Sequence, residues 1–272
     1  MSPLTITTIQ TDLRWEDKEA NLRLLEEKIL SLTAPAELVV LPEMFSTGFS
    51  MKPEFFAETM DGPTVSWMKT LAARKRIILT GSIIIREGND YFNRLIWMQP
   101  NGVCGCYDKR HRFAYAGEDQ SYTAGRKRLV ASVKGWKVLP LVCYDLRFPV
   151  WSRQTPPEQD AGQTADATDL EYDLLLYIAN WPQRRSHAWK TLLQARAIEN
   201  QCYVAGVNRI GDDGNKIFHG GDTMIVDPLG EVLYHAADRE EAYSLTIQKE
   251  TLTGVRQHFP FWRDADYYSI AP

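Results

Sequence analysis

The chain has 272 residues, of which 44% are hydrophobic, and this composition is sufficient for a large core. A net charge of -4 argues against a nucleic-acid partner, which usually requires a basic face. No stretch approaches the ~18 consecutive apolar residues of a membrane helix, and the N-terminus lacks the features of a signal peptide. Four cysteines are too few for a disulfide scaffold. We therefore expect a soluble cytoplasmic protein without a membrane or nucleic-acid partner.

The N-terminal part of the chain alternates predicted strands and helices. Residues 4–10 alternate β-branched and polar side chains, which is typical of a strand. After Asp17, apolar residues at helical spacing predict a helix that ends at Pro35. Residues 38–41 then form a short buried strand, and this β-α-β order favours a parallel pair.

Glu43 comes just after the second predicted strand. Most glutamates in loops are solvated, but the neighbours of Glu43 are Leu41, Pro42, Met44 and Phe45. These apolar neighbours predict a half-buried carboxylate.

A second helix and three further strands follow. Residues 64–74 have the apolar spacing of a helix, and residues 77–85 form a long β-branched strand. Residues 91–99 and 103–107 flank a Pro-Asn-Gly sequence, which predicts a hairpin.

Chemically active side chains lie in and beyond this hairpin. Lys109 follows the last hairpin strand, inside a basic cluster. Glu118 lies in a segment with too few apolar residues to predict a helix. Cys104 and Cys106 face the same way in their strand, but no further metal ligands lie near them in sequence. We therefore expect a structural role for these two cysteines and no metal site.

Cys143 directly follows the apolar run 138–142, and polar residues come next. It is either a small core residue or a nucleophile held at the rigid end of a strand. Three predicted strand ends now carry a carboxylate, an ammonium group and a thiol, on Glu43, Lys109 and Cys143. The carboxylate can act as a base for the thiol, and the ammonium group with a backbone N–H can stabilise an oxyanion. No histidine lies in a motif with Cys143, which disfavours a papain-like pair.

The segments around these residues resemble the Glu-Lys-Cys signature of the nitrilase superfamily of carbon–nitrogen hydrolases. The matching segments are residues 41–45, 107–111, 142–149, 180–182, 194–201 and 221–230. They follow the family's order over nearly the whole chain and look closest to the bacterial omega-amidase branch. The resemblance implies an α/β fold, a four-layer α-β-β-α sandwich with two mixed β-sheets, and no cofactor.

The resemblance also implies a role for each matching residue. Cys143 would be the nucleophile, and Glu43 would be the general base and later the acid for ammonia. Lys109 and the backbone N–H of Tyr144 would hold the oxyanion. Glu118 would match the family's second glutamate, which helps to position the other groups.

The rest of the chain contains one unusual segment and an aromatic tail. Residues 154–171 are polar and contain prolines, which predicts a mobile surface insertion. Ser186 can cap a helix that follows it. Further strands are predicted at residues 173–179, 203–207, 223–226, 232–234 and 243–247. The tail, residues 259–272, is expected to dock on its own body or on a partner subunit. We find no repeat and predict a single domain, residues 1–272.

A substrate with a carboxylate remote from its amide needs a fixed cation, and a guanidinium has the two-pronged geometry that a carboxylate prefers. Arg147 lies four residues past Cys143 and can reach the same pocket, although it can instead form an ion pair with Asp145. Arg184 and Arg185 are rival cations farther along the chain. Trp181 ends another predicted strand and can cover the methylene chain of the substrate.

Together these features predict an enzyme acting on a small-molecule amide. It would hydrolyse the terminal amide of small ω-amido dicarboxylic acids such as 2-oxoglutaramate, through a cysteine thioester and as a homodimer or larger homo-oligomer. The triad alone leaves open a nitrile or N-carbamoyl hydrolase. A further alternative is an idle family member that acts as an interaction protein.

Overall fold

A computed structural model of the chain describes residues 2–155 and 170–270. Its strands are β1 (Leu4–Gln10), β2 (Leu38–Val40), β3 (Ile78–Glu87), β4 (Asp90–Met98), β5 (Cys104–Asp108), β6 (Ala131–Val133), β7 (Trp136–Val142), β8 (Leu174–Ala179), β9 (Tyr203–Asn208), β10 (Ile210–Asp212), β11 (Phe218–Val226), β12 (Val232–Ala237) and β13 (Glu241–Ile247). Its α-helices are α1 (Lys18–Leu30), α2 (Pro53–Phe56), α3 (Pro63–Lys75), α4 (Glu118–Ser121), α5 (Pro149–Ser152), α6 (Ser186–Asn200) and α7 (Lys249–His258). Short 3-10 helices cover Ala114–Ala116, Cys143–Arg147, Gln183–Arg185 and Phe261–Asp264.

The strands form two mixed sheets. The first sheet has the order β13-β1-β2-β3-β4-β5, and the second has the order β10-β11-β9-β8-β7-β6, with β12 paired to β11. Strands β1, β2 and β3 are parallel in the first sheet, and β7, β8 and β9 are parallel in the second. The predicted pair of mixed sheets is confirmed.

The two sheets pack face to face with helices outside. In β2, Leu38 and Val40 point into a core shared with the second sheet, whereas Val39 packs with apolar residues of α1 and α3. On the other side, α6 lies so close to β9 that a Cβ on Gly206 would meet the side chains of Leu193 and Trp189. This arrangement is the predicted α-β-β-α sandwich.

Two local predictions were wrong, and one helix was not predicted. Glu118 begins the one-turn helix α4 rather than lying in a loop. Ser186 does not cap α6 with its side chain; it is the first residue of that helix, and its hydroxyl donates to Asp222 Oδ2 at 2.5 Å. The segment before the tail contains the helix α7, which buries Leu252 and Arg256. A single polar turn and a helix with two buried residues leave little apolar periodicity in the sequence.

The predicted insertion, residues 154–171, lies mostly outside the described residues, so its mobility stays a prediction. Its two flanks are buried at Gln154 and Leu170. Leu170 packs against Trp262 of the tail, and the hydroxyl of Tyr268 donates to the carbonyl oxygen of Arg153 at 2.6 Å. The tail therefore docks on its own chain at these points. No helix of the described residues has the length and apolar character needed to cross a membrane.

Candidate active site

Side chains at the ends of three strands meet between the two sheets. Glu43 lies just beyond β2 and Lys109 directly follows β5, both in the first sheet, whereas Cys143 directly follows β7 in the second sheet. The Lys109 ammonium donates to Glu43 Oε1 at 2.8 Å. The fold thus brings together the three groups that the sequence placed at separate strand ends.

Lys109 contacts a second carboxylate, that of Glu118. Its Nζ donates to Glu118 Oε2 at 2.8 Å and to Oε1 at 3.0 Å. Glu43 and Glu118 are fully buried and Lys109 is 1% exposed, so Glu43 is more buried than predicted. Burial alone would lower the pKa of Lys109, but the charges of Glu118 and Glu43 outweigh it and raise the pKa well above its ordinary value. Lys109 therefore stays an ammonium ion.

Burial raises the pKa of Glu118. The ammonium charge of Lys109 opposes this effect, and the nearby carboxylate of Glu43 adds to it. The backbone N–H of Phe113 also donates to Glu118 Oε2, at 2.5 Å. Glu118 thus holds Lys109 together with Glu43.

Two asparagines orient the carboxylates, and neither was predicted to have a role. Asn93 donates from Nδ2 to Glu43 Oε1 at 2.9 Å and to Glu118 Oε1 at 3.2 Å. Asn180 donates from its backbone N–H to Glu43 Oε2 at 2.8 Å and from Nδ2 to the Glu43 carbonyl oxygen at 2.6 Å. The available signal for Asn93 was a short amide side chain in strand β4, whose other residues are mostly aromatic or aliphatic.

Cys143 is 8% exposed and has a φ of +47°, in the left-handed region. Burial raises the pKa of its thiol well above the ordinary value; the charge of Glu43 adds to this effect and that of Lys109 opposes it. At neutral pH the resting group is therefore a thiol, and a base must take its proton during attack. The next backbone N–H, that of Tyr144, lies in the first turn of a 3-10 helix, where N–H groups have no partner within the helix.

Cys143 opens into a cavity of about 500 Å³. Aromatic and apolar side chains form much of its wall: Trp15, Phe49, Met51, Phe113, Tyr115, Tyr144, Trp181 and Ile217. Three arginines also line it: Arg147, Arg184 and Arg185. An apolar cavity with a few charged groups beside a thiol suits a small polar ligand.

Two of these arginines lie over aromatic rings. The guanidinium of Arg147 is 5.0 Å from the ring centroid of Trp181, and that of Arg185 is 5.0 Å from the centroid of Phe113. Burial lowers the pKa of Arg185, and the charges of Arg184 and Arg147 add to this effect.

None of the three arginines has a carboxylate partner within the described part of the chain. Asp145, the alternative partner of Arg147, instead accepts hydrogen bonds from Tyr107 and His111. The cavity therefore presents positive charge to a ligand.

The chain matches the carbon-nitrogen hydrolase family over residues 5–257. It belongs to that family. The hydrolase is 40% identical to the omega-amidase YafV of Escherichia coli (strain K12), over 99% of this chain and 100% of the relative. It is 31% identical to a 2-oxoglutaramate amidase of Bacillus subtilis (strain 168), over 96% of each chain.

A solved structure shows the same fold. XC1258 from Xanthomonas campestris, a CN-hydrolase superfamily protein with an arsenic adduct in its active site, matches the hydrolase with a TM-score of 0.93. The two chains are 42% identical, and the match covers 100% of each. The predicted family and fold class are confirmed.

Cys104 and Cys106 lie away from this site, on the edge strand β5. Cys104 is half-buried and Cys106 is exposed. Within residues 2–155 and 170–270, no group of three or more His, Cys, Asp or Glu side chains could hold a metal ion.

Proposed function

We propose that the hydrolase converts the terminal amide of small ω-amido dicarboxylic acids, such as 2-oxoglutaramate, into a carboxylate and ammonia. The observation that carries the substrate class is the group of cavity arginines beside Cys143 that have no carboxylate partner among residues 2–155 and 170–270. An anionic group remote from the amide would compensate their charge. The identity to an omega-amidase and to a 2-oxoglutaramate amidase supports the same substrate class.

In the first half of the reaction, Glu43 takes the proton of Cys143 as the sulfur attacks the amide carbon. The C–S bond forms, and the carbonyl oxygen becomes an oxyanion. Lys109 Nζ and the N–H of Tyr144 stabilise this charge. Glu43 then gives the proton to the amide nitrogen, the C–N bond breaks, and ammonia leaves a thioester on Cys143.

In the second half, water attacks the thioester while Glu43 takes a proton from the water. A second oxyanion forms at the same position. The C–S bond breaks, the sulfur regains a proton from Glu43, and the carboxylic acid is released. One water is consumed for each amide. Glu118 does not need to touch the substrate, because its two contacts with Lys109 hold the ammonium group in place.

At the remote end of the substrate, Arg147 binds the carboxylate in a two-pronged arrangement. The ring of Trp181, which the guanidinium covers, forms the wall along the methylene groups. Arg185 is the rival cation, because it lies over Phe113 in the same cavity and is partly buried.

We further propose that residues 1–272 form one domain, and that the hydrolase acts in the cytoplasm as a homodimer or larger homo-oligomer. The core shared by both sheets supports a single domain. The exposed tail side chains Phe261 and Tyr267 support a contact between subunits.

The decisive experiment measures ammonia release from 2-oxoglutaramate, an uncharged short amide, a nitrile and an N-carbamoyl amino acid. We expect the highest kcat/KM with 2-oxoglutaramate, no turnover by Cys143→Ala, and an acyl adduct on Cys143 after acid quenching, detected by mass spectrometry. Cys202→Ala is the matched control, because Cys202 is also a buried thiol and lies outside the cavity lining. Preference for the nitrile or the carbamoyl compound would replace the proposed substrate class, and turnover by Cys143→Ala would exclude the thioester.

A further inference from the structure

Asp145 is a fully buried carboxylate two residues beyond the nucleophile, and it does not line the cavity. It accepts four hydrogen bonds. Oδ1 accepts from the backbone N–H of His111 at 3.0 Å and pairs with His111 Nδ1 at 2.8 Å. Oδ2 accepts from the Tyr107 hydroxyl at 2.7 Å and from the Val142 N–H at 3.0 Å. Because an ionised carboxylate only accepts, Nδ1 of His111 carries the proton.

These donors come from both sheets and flank the proposed catalytic groups. Tyr107 and His111 lie two residues before and two residues after Lys109, at the end of β5. Val142 directly precedes Cys143, at the end of β7. Asp145 thus joins the strand end that carries the ammonium group to the strand end that carries the thiol.

The donors are themselves held firmly. The Tyr107 hydroxyl accepts from Trp151 Nε1 at 2.9 Å, so its own proton is directed at Asp145. Burial and the charge of Asp145 raise the pKa of Tyr107 well above its ordinary value, which keeps the phenol protonated. The ring of His111 stacks on Phe148, with 3.8 Å between ring centroids and 7° between planes.

The same carboxylate stabilises the strained turn of the nucleophile. A left-handed φ such as that of Cys143 is unfavourable in a residue with a Cβ. The hydrogen bond from Val142 to the Asp145 side chain spans this turn, and the Phe148 N–H donates to the Asp145 carbonyl oxygen at 3.0 Å beyond it. Both bonds oppose relaxation of the backbone at Cys143.

We infer that Asp145 is a positioning residue, whose four hydrogen bonds hold Lys109 and Cys143 at the separation that oxyanion stabilisation requires. The inference rests on the proposed roles of Lys109 and Cys143. It assigns the buried Asp145–His111–Tyr107 network to transition-state geometry rather than to substrate binding. Its loss should therefore lower kcat and leave KM nearly unchanged.

The test compares Asp145→Asn with Asp173→Asn. The amide keeps the shape of the carboxylate but places an N–H₂ group against two of the four donors. Since displacement of a catalytic group by about 1 Å can cost ~100-fold, we expect kcat to fall about 10–100-fold. KM for 2-oxoglutaramate should change less than about threefold, because the cavity wall is intact.

Asp173 is the matched control, because it is also a buried carboxylate with several donors. It accepts from Lys249 at 2.8 Å, from Arg256 at 3.2 Å and from the Lys137 N–H at 2.9 Å, and it lies just before β8, at the end of that strand remote from Asn180. Asp173→Asn should lower the thermal midpoint and keep kcat at 25 °C.

Two milder variants keep the inference testable if Asp145→Asn does not fold. Tyr107→Phe removes one donor and keeps the ring, and His111→Phe removes the Nδ1 donor and keeps the stack on Phe148. Each should lower kcat about 3–10-fold with KM unchanged, as expected for loss of one hydrogen bond. An unchanged kcat in folded Asp145→Asn, or in both milder variants, would overturn the inference. Cys143→Ala tests the proposed function separately, since its inactivity does not depend on Asp145.

Discussion

Glu43→Gln tests the assignment of the base most directly. The substitution keeps the size of a fully buried side chain that accepts from Lys109 and Asn93 on one oxygen and from the Asn180 N–H on the other. It removes acceptance of the thiol proton, which an amide cannot supply, and its N–H₂ group also cannot accept the hydrogen bonds made to one of the two carboxylate oxygens. Loss of a general base costs about 10²–10⁴ in rate, or roughly 3–5 kcal/mol in the activation free energy.

The residual activity of this variant should depend on pH in a characteristic way. A thiol with an ordinary pKa of about 8.5 is roughly 3% ionised at pH 7, and burial of Cys143 raises its pKa and reduces that fraction further. Without its base, the variant must use this small thiolate fraction. We therefore expect its kcat to rise about tenfold per pH unit between pH 7 and pH 8, since each unit raises the thiolate fraction about tenfold below the pKa.

The assay is steady-state ammonia release from pH 6 to pH 9, with folding checked by circular dichroism. Glu58→Gln is the control: Glu58 is a buried carboxylate that accepts from Thr64 and Lys18 outside the site, and its variant should keep the wild-type profile. A wild-type rate in Glu43→Gln, or a residual rate that does not change with pH, would refute Glu43 as the base.

Three other predictions concern the ammonium group, the substrate carboxylate and a buried histidine. Lys109→Met should lower kcat about 10²–10³-fold in the ammonia assay, because an oxyanion donor is lost; a wild-type rate would contradict this role. Arg147→Lys should lower kcat/KM steeply for 2-oxoglutaramate and much less for an uncharged amide, whereas equal losses would mean a structural role. Burial lowers the pKa of His219 from 6.5 to about 4, so the unfolded chain binds a proton at this histidine more readily than the folded chain does. The free energy of unfolding should therefore be highest above pH 6.5 and should fall by up to roughly 3 kcal/mol between pH 6.5 and pH 4. Urea unfolding of His219→Gln should show a weaker decline, and an unchanged pH dependence would exclude this histidine as a contributor.

The central strands and the groups at their ends could be predicted from the sequence, because buried parallel strands have continuous apolar runs that end abruptly. The ends of β2, β5 and β7 lie within three residues of Glu43, Lys109 and Cys143. The family resemblance correctly implied that these ends meet, which strand patterns alone do not establish.

The remaining features depend on tertiary contacts between residues far apart in sequence. Asn93 is polar in a strand, and only the arrival of two carboxylates from other segments explains why it is buried. Arg256 of α7 is buried because Asp173 lies beside it, although a charged residue in an amphipathic helix normally indicates the solvated face. Hydrophobic periodicity in the sequence indicates which side of a helix or strand is apolar. It does not indicate which charged side chains are buried beside a partner of opposite charge.

The pairing of β13 with β1 affects when the active site can form during synthesis of the chain. All seven residues of β1 pair with β13, which comes near the end of the chain, and β1 in turn pairs with β2, the strand that precedes Glu43. During synthesis, Glu43, Lys109 and Cys143 therefore emerge long before β13, the strand that completes the sheet of Glu43 and Lys109. Domains dominated by such distant pairings fold slowly. We expect catalytic activity to appear late and in a single step. Before that step, the thiol of Cys143 in the growing chain is accessible to oxidants.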